Sequence, residues 1–387
     1  MYYMGMEYLL KHKDLDVAVL ELTENGSIKD ISSVLVKNHL PFPVVMEDGS
    51  VNKKRLEDWW NDRGIPVDRE NYKQILNEVN LKSKNEMLKN SMGLSLTDHY
   101  WICDSENKKK WKDVNYYEND FDKVIGEIIF GINIKKEKFT LNSPDIGSSG
   151  NLIKRWTIRK DGKRVMEKRG CLPFQQEPAN EEIASLICEK LNIRHVPYRV
   201  DFVDDIPIST CENMTSTEKE FISAIHVYDI LMPLAFGVNM YDHYTKCLEK
   251  LNIANYRQTL DKMLVLDYIM LNHDRHFNNF GVLRNSDTLD AYEIAPVFDT
   301  GTSLFCREIN ERIVLPERRP LKHSGFDTLE KQLLLVSDWS WYRKNELKDL
   351  GRETTRILKK IPTVNRERAE KIGMAIEERL VDLSKWV

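Results

Sequence analysis

The sequence has no long apolar run. No stretch approaches the ~18 consecutive apolar residues of a membrane-spanning helix, so no membrane span is expected in these 387 residues. The opening MYYMGMEYLLKHKD lacks the basic start, apolar run and small-residue cleavage site of a secretory signal. Cysteine is sparse. The six residues Cys103, Cys171, Cys188, Cys211, Cys247 and Cys306 are far apart, and none forms a Cys-x-x-Cys pair. That argues against a zinc ribbon or a thioredoxin-type site, and it fits a reducing cytoplasm. An excess of one charge is also missing. A formal net charge of −4 gives no push towards nucleic acid or an acidic membrane surface. The basic clusters Lys108-Lys109-Lys110 and 318–322 read as solvated surface, and no direct nucleic-acid binding is expected. With 41% hydrophobic and 30% charged residues, the chain can bury an ordinary core and is not disordered.

What is present begins with strands. Residues 17–22 are apolar and partly β-branched, and Glu24-Asn25-Gly26 is a turn signal, so a hairpin is expected within 8–35. Leu40-Pro41-Phe42-Pro43 breaks regular structure. Helices are expected over 55–63, carrying Trp59 and Trp60, over 69–80, and over 86–92, stopped by Gly93. Residues 94–123 are rich in aromatics. Their neighbours, among them Asp98, Asp104, Glu106 and Asp113, are acidic, so packing is expected there and not base stacking. No catalytic chemistry is evident in 1–138.

Composition changes near Asn142. Residues 143–151, SPDIGSSGN, form a small polar loop in which Gly147 and Gly150 permit positive φ and close backbone approach. The loop matches neither the Walker pattern nor Gly-x-Gly-x-x-Gly, and alone it reads as surface. Strands are expected over 154–159 and 165–168, around Asp161-Gly162. A helix is expected over 183–191, opened by Pro178 and Asn180, with Glu181 and Glu182 at the positive end of its dipole. A second hairpin, 196–202 and 206–211, runs into the connector Glu212-Asn213-Met214. From Thr217 the chain is expected to be mainly helical: 220–236 ended by Gly237, then 241–251, then 258–271. The last of these is apolar on nearly all sides and is therefore expected to be buried. The chain end is expected to be helical over 329–336, 341–350 and 366–380, with Arg366, Arg368 and Lys371 on a basic edge.

The buried helix delivers the chain to residues 272–301, NHDRHFNNFGVLRNSDTLDAYEIAPVFDTG. Asn279 lies five residues after Asp274. Asp299 follows the apolar 294–298, an expected buried strand, and Thr300-Gly301 is the expected exit turn. A bare carboxylate at the end of such a strand is costly unless paired or metal-bound. Protein kinases hold a catalytic Asp, a metal-binding Asn and a metal-binding Asp before Gly in this order. In that chemistry Asp274 takes the acceptor hydroxyl's proton, and Asn279 and Asp299 offer the oxygen ligands Mg²⁺ prefers. Lys168 on a strand and Glu181 on the next helix stand in the order of the kinase pair that holds a Lys against the nucleotide phosphates. Alone, each reads as an ordinary surface residue; together with the downstream motif, function is favoured. His273 and His276 lack converging partners for zinc, and Arg275 and His276 are expected to brace the loop.

These residues, above all His273-Asp274-Arg275-His276-Phe277-Asn278-Asn279-Phe280 with Asp299-Thr300-Gly301, resemble the HipA-like serine/threonine kinases, a bacterial family distantly related in fold to phosphatidylinositol kinases. The resemblance covers about residues 142–375. It implies an α+β, two-lobed protein-kinase-like fold, with a strand-rich small lobe over 139–216, a mainly helical large lobe over 217–387, and an additional α+β segment over 1–138. It implies ATP and Mg²⁺ as cofactors, Asp274 as catalytic Asp, and Asn279 and Asp299 as metal ligands. Lys168 matches the ATP-phosphate Lys and Glu181 its helix partner. Gly147, Ser148, Ser149 and Gly150 match the phosphate loop, and Glu212 and Met214 flank the adenine. In several members a loop serine is autophosphorylated and swings out, switching the enzyme off, so Ser148 or Ser149 is expected to behave likewise. Many toxin members act with a DNA-binding antitoxin, which makes such a partner an expectation beside a protein substrate. Arg169 departs from the family, where a small residue would leave more room near the nucleotide. Two other readings stay open: a small-molecule or lipid kinase, and a catalytically silent nucleotide-binding protein of the same fold.

Overall fold

The computed structural model describes residues 6–42, 44–104, 106, 109–132, 138–313 and 325–386. The basic stretch 318–322, Lys108 and Pro43 lie outside the described residues. The chain opens with β1 (Met6–His12), β2 (Leu15–Leu22) and β3 (Ile28–Val34). Leu10, Val17, Leu20 and Leu22 are buried beneath them. The expected hairpin is β2–β3, and Gly26 turns it at φ 81°. Next come α1 (Lys53–Asp62), α2 (Tyr72–Glu78) and α3 (Lys84–Asn90). Asn52 and Ser83 cap α1 and α3 by accepting from the backbone N–H three residues on. Helix α2 starts later than 69 because Arg69 sits in a turn and sends its side chain elsewhere, as described below. β4 (Tyr100–Asp104) pairs with β1 and completes an antiparallel sheet in the order β3-β2-β1-β4. The short α4 (Trp111–Val114) and α5 (Lys123–Phe130) follow. Tyr100, Trp101, Trp111, Tyr116 and Phe121 are all buried, so the aromatic stretch is packing, as its acidic neighbours imply.

A second antiparallel sheet follows the polar loop. Its order is β5-β6-β8-β7, from β5 (Lys154–Ile158), β6 (Arg164–Arg169), β7 (Arg199–Val203) and β8 (Ile206–Glu212). Helix α6 (Glu177–Leu191) lies between β6 and β7 in sequence and packs on this sheet. It begins about one turn earlier than its apolar face suggests, so Glu181 sits in the second turn and not at the dipole's end.

The stretch 220–236 is not the expected helix. β9 (Lys219–Ser223) pairs with β10 (Gly281–Asn285), which pairs with β11 (Ala291–Ile294). Glu220 stands opposite Arg284, a cross-strand ion pair that favours the strand. Only α7 (Ala224–Tyr228) is α-helical there. Beyond it Met232, Leu234 and Phe236 are exposed on a loop, so apolar composition misled the periodicity reading. β11 ends at Ile294, and of residues 295–298 only Val297 makes a bridge, to His195. Helices α8 (Met240–Lys250) and α9 (Tyr256–Met270) match expectation. At the chain end, α10 (Leu329–Leu333) is short and α11 (Leu350–Leu358) lies beyond the expected 341–350. Helix α12 (Arg366–Leu383) is present. Arg368 is not on a basic edge: it is fully buried and donates to Gln176 Oε1 and the carbonyls of Phe305 and Glu308. The largest hydrophobic core gathers around α9, joined by α6, α8, α11 and α12. The result is a mixed α+β fold with distinct sheet and helical regions.

The first and third sheets meet through buried polar groups. Glu220 takes the Arg284 guanidinium on Oε1, while His12 Nε2 (3.2 Å) and His99 Nδ1 (3.1 Å) face Oε2. The other nitrogen of His99 lies 2.9 Å from the Ser216 carbonyl. His12, His99 and Glu220 hold ligand atoms within 4.8 Å of one another, but Arg284 already supplies the cation that Glu220 needs, so the cluster reads as a junction between sheets.

Candidate active site

Helix α9 fixes the central loop from below. Its buried Asp267 accepts from Asn272 Nδ2 (2.7 Å), and Asn272 Oδ1 in turn accepts the Asp274 N–H (3.0 Å). Leu271 caps α9 in the left-handed conformation (φ 50°), so the chain leaves the helix abruptly. Arg275 is buried and ties the loop together. Its guanidinium pairs with Asp267 (2.9 Å) and donates to the carbonyls of Asn279 (2.8 Å) and Phe298 (2.5 Å) and to Thr300 Oγ1 (3.1 Å). The expectation that Arg275 braces the loop therefore holds, and the brace reaches the Asp299 turn as well. The sharp turn is at Asp299 itself, at φ 55°, and not at Gly301. Aspartate tolerates that region better than most residues.

Lys168 and Glu181 meet, and Asp299 joins them. Lys168 Nζ lies 3.2 Å from Glu181 Oε1, 2.7 Å from Asp299 Oδ1 and 3.3 Å from the Tyr198 hydroxyl. Glu181 Oε2 accepts the Thr300 N–H at 3.1 Å. Burial opposes the Lys168 ammonium, but Asp299 and Glu181 outweigh it and hold its pKa well above the ordinary lysine range. Burial likewise pushes the Asp299 carboxyl up, yet Lys168 and Lys154 overcome it and hold it well below the usual carboxylate range.

Across the cleft stand Asp274 and Asn279. Asn279 Nδ2 donates to the Asp274 carbonyl (2.8 Å), which turns the amide oxygen away from that bond. Asp299 keeps its second carboxylate oxygen outside the Lys168 contact. Two hard oxygen donors, one amide and one carboxylate, suit a Mg²⁺ ion. Burial raises the pKa of Asp274; His276 opposes the rise and Asp299 adds to it.

One cavity of about 590 Å³ connects these groups. Its walls include loop residues Gly147, Ser148, Ser149 and Gly150 beside Lys168, Asp274, Asn279 and Asp299. Glu212 and Met214 line it too, in different ways. Glu212 is exposed and its carboxylate pairs with Lys163 (2.8 Å). Met214 packs with Val196, Tyr198, Cys211 and Phe298 as an apolar patch on the cavity wall. Arg169 does not crowd this space. It points the other way, donating to the Phe130 carbonyl (2.8 Å) at the end of α5. Of the loop glycines only Gly150 needs positive φ (87°), and a Cβ there would stand 2.7 Å from Lys154 Nζ. Ser148 is buried with its hydroxyl towards the Pro144 carbonyl (3.4 Å), whereas Ser149 is exposed.

By sequence, no family model matches the chain, and no curated protein matches it. Solved structures do match. The Helicobacter pylori proinflammatory kinase CtkA covers 95% of its own length and 60% of this chain, at 16% identity and a TM-score of 0.44. HipA of Shewanella oneidensis MR-1, solved with HipB and operator DNA as a toxin–antitoxin system, aligns over 98% of this chain and 97% of its own, at 11% identity and a TM-score of 0.54. The fold is HipA-like. The distinct sheet and helical regions resemble a bilobed, kinase-like architecture, and the likeness to HipA spans 98% of the chain, so it takes in the segment before residue 139. At this identity the likeness is one of fold.

Two residues of this HipA-like cleft escaped the sequence reading. Arg69 reaches the 148–150 loop from the N-terminal segment. Lys154 is buried and lines the cavity, and its side chain makes no hydrogen bond or ion pair among the described residues. It stands directly opposite Lys168 across the β5–β6 ladder. Like charges so placed repel; Glu181 and Asp299 offset Lys168, whereas no carboxylate lies within ion-pair distance of Lys154 among the described residues. Burial pushes the Lys154 ammonium down to about 7, with Lys168 and Arg69 adding to the effect and Asp299 opposing it. An anion beside Nζ raises that pKa. Affinity for an anionic probe such as Mg-ATP is then expected to be flat below about 7 and to weaken as pH rises above it, by at most about tenfold per unit. Lys154→Met removes that component, so titrations of both proteins between pH 6 and 9 must differ in slope. Parallel slopes would eliminate Lys154 as a phosphate contact.

Proposed function

We propose that this protein is an ATP- and Mg²⁺-dependent serine/threonine protein kinase of the HipA-like type, passing the γ-phosphoryl group to a protein hydroxyl. The observation that carries the reading is the Lys168–Glu181–Asp299 contact set facing Asp274 and Asn279 across one cavity. In this reading the small lobe spans 139–216 and the large lobe 217–387, with 1–138 as an accessory segment. Lys168 and Lys154 hold phosphate oxygens, and the apolar patch at Met214 takes the adenine. Asn279 and Asp299 hold Mg²⁺, which when bound neutralises charge on the β- and γ-phosphates. Asp274 orients the acceptor hydroxyl. As its oxygen bonds to the γ-phosphorus and the bond to ADP breaks, the hydroxyl proton passes to Asp274. Such transfer needs positioning more than covalent chemistry, and the Asp267–Arg275 brace under the loop supplies it.

The acceptor is a protein, and the protein's own loop is one candidate, through the exposed Ser149 ahead of the buried Ser148. The likeness to a HipA solved with HipB and operator DNA also supports a DNA-binding, antitoxin-type partner, and a bacterial cytoplasm is the setting that fits. Incubation with Mg-ATP followed by peptide mass spectrometry tests the reading. Phosphate is expected on Ser149, and none in Asp274→Ala. Turnover that needs an added lipid or metabolite would replace protein kinase with small-molecule kinase, and absence of any nucleotide binding would defeat both.

A further inference from the structure

Arg69 is buried, and no carboxylate lies within ion-pair distance of it among the described residues. A buried guanidinium without such a partner is costly unless its donors are otherwise used. Nε and Nη2 are used on the loop, while Nη1 has no hydrogen-bond partner among the described residues. Nη2 donates to the carbonyls of Ser148 (2.6 Å) and Gly150 (2.7 Å), with that of Ser149 at 3.4 Å, and Nε donates to Gly150 (3.1 Å). Three consecutive carbonyls are thus drawn to one side. In a trans peptide the C=O of one residue and the N–H of the next point in opposite directions. The amides of Ser149, Gly150 and Asn151 are therefore turned away from Arg69. None of the three donates to a protein acceptor among the described residues, and all three residues line the cavity that Lys154 and Lys168 share.

We propose that Arg69, from the otherwise unassigned N-terminal segment, is a positioning residue that turns the 148–151 loop into an anion-binding nest for the nucleotide phosphates. This rests on the ATP-site reading above. It explains how a loop lacking the usual glycine pattern presents its backbone N–H groups, since an external guanidinium does what extra glycines would otherwise permit. It also gives the N-terminal segment a share in the site, because Asp62, Arg63 and Lys84 line the same cavity. Lysine cannot replace the clamp, since one ammonium lacks the planar fork that spans several carbonyls.

The test is calorimetric titration of the full chain with Mg-ATP, adenosine and inorganic tripolyphosphate, for the wild type, Arg69→Met and Arg69→Lys. In both variants ATP and tripolyphosphate are expected to bind about tenfold or more weaker, with adenosine unchanged. Equal ATP affinity in wild type and both variants overturns the proposal. So does a parallel loss of adenosine in Arg69→Lys, which would make Arg69 a general scaffold residue. A wild type that binds none of the three ligands refutes the ATP-site reading itself, a different result from either.

Discussion

Asp274→Asn is expected to slow phosphoryl transfer by about 10²- to 10⁴-fold while leaving nucleotide binding intact. General-base assistance contributes a factor of that size, and the amide cannot take the acceptor's proton. The variant keeps the backbone contacts that place residue 274, its N–H to Asn272 and its carbonyl from Asn279, and the amide oxygen can still accept from Thr302, which the Asp274 side chain also meets. The pH profile gives a second readout. Burial and the neighbouring Asp299 raise the Asp274 pKa despite His276. A raised carboxyl loses its base form as pH falls through that elevated value, so wild-type kcat/KM must drop on the acid side above the pH of an ordinary aspartate. The residual rate of Asp274→Asn must lack that limb. Radiolabel transfer at saturating Mg-ATP measures both, and an Asn variant of near-normal rate would remove Asp274 from the chemistry.

Arg275→Met is expected to cost about 3–5 kcal/mol of stability, because removing one partner of a buried pair leaves the other charge uncompensated. Here that partner is Asp267, which is buried with Arg275 and also orients Asn272. The carbonyls of Asn279 and Phe298 would lose their donor in the same step. Arg275→Lys should recover little, since no single ammonium reaches four acceptors. Urea denaturation measures the difference. A loss below about 1 kcal/mol, the range of exposed pairs, would show that the catalytic loop does not depend on this brace.

The site was more legible than the lobe that carries it. Asp274, Asn279 and Asp299 sit in one short stretch, where spacing alone carries chemistry, and α9 before it is apolar on nearly all sides. Lys168 and Glu181 needed the downstream motif to be singled out. The stretch 220–236 failed for a physical reason. Its apolar residues serve a strand, a short helix and an exposed loop in turn, and the buried Glu220 pairs with an arginine 64 positions away, beyond the reach of local periodicity. Arg69 and Lys154 were missed in the same way. An arginine in a turn and a lysine at a strand start have no local signature, and their roles exist only once the sheets are folded against the loop. The cross-strand pairing of Lys154 with Lys168 was the one available hint, and it requires the register of β5 and β6.

Lys168 sits between two carboxylates, Glu181 and Asp299, and is the only lysine bonded to either among the described residues. A lysine in this place is a common choice for an inactive control, and here it would be a poor one. Lys168→Met leaves the two acids facing each other without their shared cation, which favours protonation or displacement of one of them. Loss of activity in that variant would then report a rearranged cleft as much as a missing phosphate contact. For dissecting this protein, the residue that looks most expendable to the architecture is Asp274, and the one that looks most catalytic doubles as a keystone.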